Sequence, residues 1–229
     1  MTDAQEKPIV FWGATGQAKV VWDCLRPQGY RLVALFDNNA DLRSPFSGVP
    51  LYHGESGFSQ WLSSTKALED EVYCLVAIGG SRGQDRLQIQ RYLADHGLRP
   101  IVAIHPRASL AEGISVGEGS QILAHAAVGA SARIGEACIV NTGAIVEHDC
   151  KIGDGVHLAP GSILAGELTV DAFTMIGAGA VVLPRLNIGK NVVVGAGSVV
   201  TKDIADNLVV AGNPAQILSK KLQDGPSSP

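Results

Sequence analysis

The sequence predicts an α/β domain built on a small parallel sheet, followed by a parallel β-helix. Two observations lead to this prediction. Strands and helices alternate in the first half of the 229-residue chain, and a six-residue repeat fills most of the second half. The alternation is typical of parallel sheets, and a hexapeptide period is typical of a β-helix. We expect the α/β domain to span residues 1–105, the β-helix residues 106–218 and a flexible tail residues 219–229.

The first domain begins with the pattern of a strand, a glycine turn and a helix. The apolar run from Pro8 to Trp12 leads into the turn GATGQAK, and a helical pattern follows from Val20 to Leu25. A second strand, Arg31 to Phe36, ends on Asp37. This spacing of about twenty residues after the glycines is the one at which ribose-binding sheets place an acidic residue.

A third strand is predicted from Tyr73 to Ile78, ending on Gly79-Gly80, with a helix from Arg82 to about His96 and a short strand near Ile101 to Ile104. Ligands of parallel sheets bind beyond the carboxyl ends of the strands, and a helix N-terminus offers free N–H groups to phosphate. Nucleotide binding and a purely structural glycine turn both remain open from this motif alone. A single glycine turn argues against NAD and favours a nucleotide attached to another group.

The repeat begins at Ala108 and runs to Asp203 in sixteen six-residue blocks without insertion, and the third residue of every block is aliphatic. Each block supplies a short strand and one corner of a triangular coil, so that three blocks form a coil of 18 residues. The first residue is small in most blocks, which suits a crowded corner. The fourth is Gly in seven blocks, where we expect positive φ. A β-sandwich is disfavoured because its strands alternate over longer runs. Pro214 to Leu222 is predicted to form a short helix at the end of the prism.

The composition excludes several classes of partner. The net charge is −4, the pI is near 5.8 and no stretch concentrates Lys or Arg, so we expect no nucleic acid partner. There is no 18-residue apolar run and no signal pattern at the N-terminus, so we expect a cytoplasmic protein without a membrane partner. The four cysteines lack a CxxC spacing and are interpreted as small buried residues.

The candidate catalytic residues interrupt the repeat. Within Asn141 to Cys150, block positions that are usually glycine or small carry Glu147 and His148, and Asp149 follows. A carboxylate beside an imidazole raises its basicity and fixes its tautomer, and the pair can take a proton from an attacking amine or hydroxyl. His148 is therefore the candidate general base, with a solvated surface histidine as the alternative. His157 lies half a coil further on, so the two histidines can meet only across a subunit boundary.

Three features together resemble the bacterial nucleotide-sugar acyltransferases of the PglD, NeuD, VioB and PerB type. They are the hexapeptide repeat, the turn from Gly13 to Lys19, and the segment from Asn141 to Cys150 with His157. The resemblance covers about Pro8 to Leu218. It implies a left-handed β-helix, which is an exception to the usual right-handed crossover. It also implies a homotrimer with active sites between neighbouring prisms. The implied reaction transfers acetyl from acetyl-coenzyme A (acetyl-CoA) to an amino group, or sometimes a hydroxyl, on a bacterial sugar.

The resemblance also implies residue roles, and we expect no metal. His148 matches the family's base, and Asp149 or Glu147 matches its orienting carboxylate. The implied acetyl-CoA site comprises the side chains of Asn141 and His157 near the thioester, the N–H of Gly166 at the acetyl carbonyl, and the backbone of Ala178 and Ala196 along the pantetheine arm. The implied nucleotide-sugar pocket comprises Gly13, Thr15, Gly16, Gln17, Asp37, Gly79 and Gly80. Many relatives have His in place of Gln17, so the sugar or the nucleotide can differ here.

We therefore predict acetylation of the amino group of a nucleotide-linked amino sugar, preferably a 4-amino-4,6-dideoxy sugar, for surface polysaccharide or glycan synthesis. The alternatives are O-acetylation of a sialic acid type sugar, acylation of a free small molecule, and a non-catalytic trimeric nucleotide-sugar sensor or scaffold. A β-helical carbonic anhydrase needs three converging histidines, and the spacing of His125, His148 and His157 does not match. The sequence does not choose among UDP, GDP and dTDP carriers.

Overall fold

The computed structural model describes residues 6–64 and 71–221. The chain divides into two compact units. Of the described residues, the first unit contains those up to Ile78 together with Gln88–Ile101, and the second contains Gly79–Leu87 together with 102–221. The domain boundaries predicted from the sequence stay predictions, and residues 222–229 of the predicted tail lie outside the described residues.

The first unit is built on a five-stranded parallel sheet with the strand order β3-β2-β1-β4-β5. Its centre is aromatic: Trp12 and Phe36 from the sheet pack against Phe58 and Trp61 of a helix. The elements, in chain order, are β1 (Lys7–Trp12), α1 (Gly16–Leu25), a 3₁₀ turn (Arg26–Gln28), β2 (Tyr30–Asp37), β3 (Leu51–His53), α2 (Gly54–Ser64), β4 (Tyr73–Val76), α3 (Gly83–Asp95) and β5 (Arg99–Pro100).

The predicted α/β class of this unit is confirmed, with three differences in detail. β3 and α2 were not predicted from the sequence. The single strand predicted near Ile101 to Ile104 is instead two short strands, of which β5 joins this sheet and the next, Ala103–Ile104, joins the β-helix.

The second unit is a left-handed parallel β-helix with three sheets of six, five and eight strands. Each strand pairs with the strand one coil later, as Ile139 does with His157 and Ile145 with Ile163. The strands are β6 (Ala103–Ile104), β7 (Ser109–Leu110), β8 (Ser115–Val116), β9 (Gln121–Ile122), β10 (Ala127–Val128), β11 (Arg133–Ile134), β12 (Ile139–Val140), β13 (Ile145–Val146), β14 (Lys151–Ile152), β15 (His157–Leu158), β16 (Ile163–Leu164), β17 (Thr169–Val170), β18 (Met175–Ile176), β19 (Val181–Val182), β20 (Asn187–Ile188), β21 (Val193–Val194), β22 (Val199–Val200), β23 (Leu208–Gly212) and β24 (Ala215–Lys220).

The aliphatic third residues of the blocks form the core of this unit, and Val146, Leu164 and Val182 are fully buried. Because side chains alternate along a strand, the second residue of each block points outward. On each face, stacked coils therefore bury a column of third residues inside the β-helix and point a column of second residues outward.

The expectation of positive φ at the fourth-position glycines was wrong. Positive φ occurs instead at the sixth residue of each block from Gly113 to Gly197, including His125 and Asp149. Where the fourth residue is Gly, the reason is a different one, because the neighbouring coil passes close by: a Cβ on Gly129 would lie 2.7 Å from the backbone nitrogen of His148.

The helix predicted from Pro214 to Leu222 was also wrong over its described part. Residues Ala215–Lys220 form β24, which pairs antiparallel with β23 and extends the eight-stranded sheet. None of the described helices is long and apolar enough to cross a lipid bilayer.

Candidate active site

His148 lies at the corner that follows β13, on the surface of the β-helix. Its Nδ1 is 2.9 Å from Oδ2 of Asp149. This hydrogen bond is the main reason that the pKa of His148 is raised, and the negative charges of Asp149, Glu147 and Glu167 raise it further. A carboxylate only accepts hydrogen bonds, so in the neutral imidazole Nδ1 carries the proton and Nε2 has a free lone pair. The side chain that orients His148 in this structure is therefore Asp149, while exposed Glu147 acts on it only through its charge.

Gly166 lies one coil after His148 and leaves room for the imidazole. A Cβ on Gly166 would lie 2.5 Å from Nε2 and 2.7 Å from Cε1 of His148. Every side chain other than hydrogen would thus collide with the ring atom that has the free lone pair. Within the described residues, the N–H of Gly166 donates no hydrogen bond. His148 and an available backbone donor therefore adjoin each other.

The sequence reasoning did not identify the ion pair that continues this corner. Glu167 and Arg185 follow Asp149 at intervals of one and two coils, and two guanidinium nitrogens of Arg185 lie 3.0 and 3.2 Å from the carboxylate oxygens of Glu167. Arg185 lowers the pKa of Glu167. The 18-residue period would have revealed this column, because residues one period apart are stacked.

His157 and Asn141 form a second group, on the eight-stranded sheet and at its following corner. His157 is buried, and its Nδ1 lies 3.1 Å from the carbonyl oxygen of Gly80. Nε2 lies 3.2 Å from Nδ2 of Asn141, whose Oδ1 accepts the N–H of Thr142. Burial, with the nearby charge of Arg86, lowers the pKa of His157 to about 4. His157 is therefore neutral at physiological pH.

Ala178 and Ala196 lie at the same corner as Asn141, one coil apart from each other. Both are exposed, and within the described residues neither N–H donates a hydrogen bond. The predicted acetyl-CoA residues thus fall into two groups on one chain. Asn141, Ala178 and Ala196 lie at the corner after the eight-stranded sheet, whereas His148 and Gly166 lie at the corner after the six-stranded sheet.

The glycine turn of the first unit lies at the carboxyl ends of β1 and β2. Gly13 has φ +110, and a Cβ there would overlap the carbonyl group of Ala77. Oδ2 of Asp37 accepts the N–H of Ala14 at 2.9 Å, and its Oδ1 accepts the N–H of Asn39 at 3.0 Å. Asp37 therefore holds the shape of this turn.

The other predicted nucleotide-sugar residues are placed as follows. Thr15 precedes α1, and Gly16 and half-buried Gln17 form its first turn. Gly79 and Gly80 belong to the second unit, where the carbonyl of Gly80 accepts from His157 and, at 3.3 Å, from Arg86. Arg86 is a buried residue that the sequence reasoning missed.

The four cysteines are buried free thiols. Burial raises the pKa of Cys24 to about 11 and that of Cys138 to about 12, which is the opposite of what a nucleophilic thiol requires. Among residues 6–64 and 71–221, no group of three or more His, Cys, Asp or Glu is arranged to hold a metal ion.

Comparison with known proteins identifies both parts of the chain. Residues 8–93 match the model of the PglD N-terminal domain, and residues 131–166 match the model of the bacterial transferase hexapeptide with six repeats. No curated protein sequence matches the chain significantly.

Several solved structures match the chain over almost its whole length. The chain is 36% identical to PerB from Caulobacter crescentus, crystallised with CoA and GDP-perosamine, with a TM-score of 0.82 and coverage of 93% of this chain and 97% of that one. It is 31% identical to the acetyltransferase domain of PglB from Neisseria gonorrhoeae in complex with acetyl coenzyme A, with a TM-score of 0.81 and coverage of 93% and 100%. It is 28% identical to WeeI from Acinetobacter baumannii, with a TM-score of 0.82 and the same coverage. The chain therefore belongs to the bacterial nucleotide-sugar acetyltransferases that combine a PglD N-terminal domain with a left-handed β-helix of hexapeptide repeats.

Proposed function

We propose that the protein transfers the acetyl group of acetyl-CoA to the amino group of a nucleotide-linked amino sugar, with His148 as general base. The single observation that carries this proposal is the pair formed by His148 and Asp149 against Gly166. The solved relatives support the class of reaction: one is a GDP-perosamine N-acetyltransferase, and another is an acetyltransferase domain with bound acetyl-CoA. Because acetyl-CoA is a cytoplasmic metabolite, we place the reaction in the cytoplasm.

In the proposed reaction, the neutral amine of the sugar attacks the thioester carbonyl, and Nε2 of His148 accepts the proton that the amine loses. Asp149 stabilises the imidazolium that forms and holds the ring with Nε2 toward Gly166. The N–H of Gly166 is the proposed donor to the oxygen that becomes negative when the carbonyl is attacked. The thiolate of CoA leaves as the new amide forms. No acyl-cysteine is needed, which agrees with the burial of the thiols.

The proposed site combines two subunits of a homotrimer. In one chain, His148 lies at the corner after the six-stranded sheet and His157 lies on the eight-stranded sheet, so a site that uses both takes them from different chains. The six-stranded sheet, which lies between the two corners, carries an outward column of apolar residues: Ile145, Ile163, Val181 and Val199. Ile163 and nearby Leu183 are 38% and 40% exposed in the single chain. An apolar face of this kind is suited to burial against a second copy.

The nucleotide-sugar pocket is proposed at residues of the first unit, Gly13, Thr15, Gly16, Gln17 and Asp37. The predicted role of Gly79 and Gly80, which belong to the second unit, stays a prediction. The first helix begins at Gly16, and the N-terminus of a helix is suited to binding a phosphate. Gln17 replaces the histidine of many relatives, so the preferred sugar is to be determined by experiment. O-acetylation of a sugar is the second candidate, since a general base is needed even more for a hydroxyl than for an amine.

The activity is tested by measuring free thiol released from acetyl-CoA with a panel of GDP-, UDP- and dTDP-linked amino sugars, with mass detection of the product. GDP-perosamine is the first substrate to try. We expect His148→Ala to lower kcat by about 10² to 10⁴. A His148→Ala variant with near-normal turnover would exclude His148 as the base, and no thiol release with any sugar would favour the sensor or scaffold.

The shared site is tested by mixing subunits. His148→Ala and His157→Asn chains are each expected to be weakly active alone. Random mixed trimers contain sites with both native histidines, so co-expression should restore about one quarter of the wild-type rate. Restoration requires that the two histidines come from different chains. A mixture no more active than its parents would place the complete site within one chain.

A further inference from the structure

Arg86 in α3 is a charged residue that is almost completely buried, with 1% exposure. Among its hydrogen bonds, its guanidinium donates from Nε to the carbonyl of Ala137 at 2.9 Å, from Nη2 to that of Gly155 at 2.7 Å and from Nη1 to that of Gly80 at 3.3 Å. Burial lowers its pKa to about 10, so it is still charged at neutral pH. Burying a charge is unfavourable unless it is paired or hydrogen-bonded, and these three backbone oxygens are among the acceptors of Arg86.

The carbonyl oxygen of Gly80 is shared by Arg86 and His157. It can only accept hydrogen bonds, so Nδ1 of His157, at 3.1 Å, must be the donor. His157 then has its lone pair on Nε2, which accepts Nδ2–H of Asn141. Because Oδ1 of Asn141 already accepts the N–H of Thr142 at 2.7 Å, both ends of the carboxamide have a fixed direction.

The opposite tautomer would be incompatible with this arrangement. A proton on Nε2 of His157 would face the amide N–H₂ of Asn141. Turning that amide would then place two donors against each other at Thr142. The orientation of Asn141 therefore depends on the tautomer of His157, and the tautomer depends on the position of the Gly80 carbonyl.

We propose that Arg86 is a positioning residue: by holding the carbonyl of Gly80, it fixes His157 as the Nδ1–H tautomer and thereby orients Asn141 toward acetyl-CoA. This inference rests on the proposed function, because it takes Asn141 and His157 as acetyl-CoA residues. The charge of Arg86 also disfavours protonation of His157. One buried residue thus fixes the tautomer of the imidazole and, together with the burial of the ring, favours its neutral form.

The first test observes the tautomer directly. The ¹⁵N NMR spectrum of the full-length protein, with the His157 signals assigned by a His157→Asn variant, should show a proton on Nδ1 and none on Nε2 at pH 7. A proton on Nε2 would overturn the proposal, and this measurement requires no Arg86 variant to fold. In Arg86→Lys, which keeps the charge but cannot donate in a fork to three carbonyls, the two tautomers should both be populated.

The second test separates positioning from stability. We expect Arg86→Lys to raise KM for acetyl-CoA about tenfold, with a smaller change in kcat, as expected for roughly one misplaced hydrogen bond. Asp203→Ala is the control, since it removes a hydrogen bond of 2.8 Å to the N–H of Asn187 and should lower stability without changing KM. Arg86→Met tests the charge in addition to the geometry.

A double-mutant cycle tests whether Arg86 acts through His157. In the His157→Asn background, Arg86→Lys should change KM and the affinity for CoA, measured by calorimetry, by less than twofold. Fully additive effects, or an Arg86→Lys protein with native tautomer and native CoA affinity, would overturn the proposal. If no sugar is acetylated, the proposed function fails, whereas the NMR and CoA-binding measurements still decide the role of Arg86.

Discussion

Substitution of Gly166 by alanine should remove activity without removing stability. The Cβ would lie 2.5 Å from Nε2 of His148, whereas ordinary contact begins at 3.4 Å. The imidazole must therefore move by about 1 Å, and a displacement of this size at a reacting group can lower a rate by about 10². The side chain of His148 is 53% exposed, so it can move away without disturbing the core. Gly166 has no positive φ, so alanine adds no backbone strain.

Gly129→Ala is the matched comparison at the same corner. Its Cβ would lie 2.7 Å from the backbone nitrogen of His148 and 2.9 Å from the carbonyl carbon of Glu147. Backbone atoms within a stacked coil cannot move away as a side chain can, so this variant should lose about 1–3 kcal/mol of stability. The two substitutions each add one methyl group, one against a side chain and one against the backbone.

The comparison is made with thiol-release kinetics and thermal unfolding on both variants. We expect Gly166→Ala to lower kcat by about 10² with a Tm within about 2 °C of wild type. Gly129→Ala should lower Tm by several degrees. A Gly166→Ala enzyme with kcat within threefold of wild type would refute the reasoning, because it would show that the position of Nε2 is unimportant. A fall in Tm equal to that of Gly129→Ala would show that the ring is not free to move.

Three further predictions concern charge and packing. Asp149→Asn removes the carboxylate that raises the pKa of His148, and asparagine tolerates the φ of +58° at this position. The acid limb of the pH profile of kcat/KM should therefore move to lower pH, and an unmoved limb would contradict this. Gly83→Ala would bring Cβ to 2.8 Å from the carbonyl carbon of Gly155 and should cost more than about 2 kcal/mol in urea unfolding. His157 has a depressed pKa of about 4, so the unfolded chain binds the proton first. Stability should be complete above pH of about 6.5 and fall by roughly 3 kcal/mol at most toward pH 4, and His157→Asn should flatten this dependence.

The β-helix could be predicted from the sequence because its signal is local and repeated: the third residue of every block is aliphatic. The reason for its glycines could not be predicted in the same way. Gly129 is explained by the backbone of residues one coil later, and a turn argument considers only neighbours in sequence. The positive φ falls on residues such as Glu167 and Arg185, which carry no sequence signal for that conformation.

The first unit shows a different limit. β3 has three residues and α2 contains Gly54, Gly57 and several serines, so neither strand alternation nor helix propensity is strong enough to predict them. They form because Phe58 and Trp61 pack against the aromatic residues of the sheet. Tertiary packing decides these elements.

In the candidate site, too, only the part formed by residues close in sequence could be predicted. Glu147, His148 and Asp149 are adjacent in sequence, so their chemistry could be predicted from residue types alone. Arg86 could not, because its acceptors lie 6, 51 and 69 residues away, and a helical arginine is ordinarily a surface residue.

The 18-residue period also determines which residues can share a site. Residues one period apart are stacked at one corner, as His148 and Gly166 are, whereas residues half a period apart lie on different faces, as His148 and His157 do. A prism therefore offers a stacked column at each corner, and it can combine two columns only by placing a second prism beside the first. The apolar face that separates the two columns in this chain, with Ile163 and Leu183 exposed, is where such a prism would pack. In this fold, self-association and the assembly of a two-column site are therefore expected to be one event.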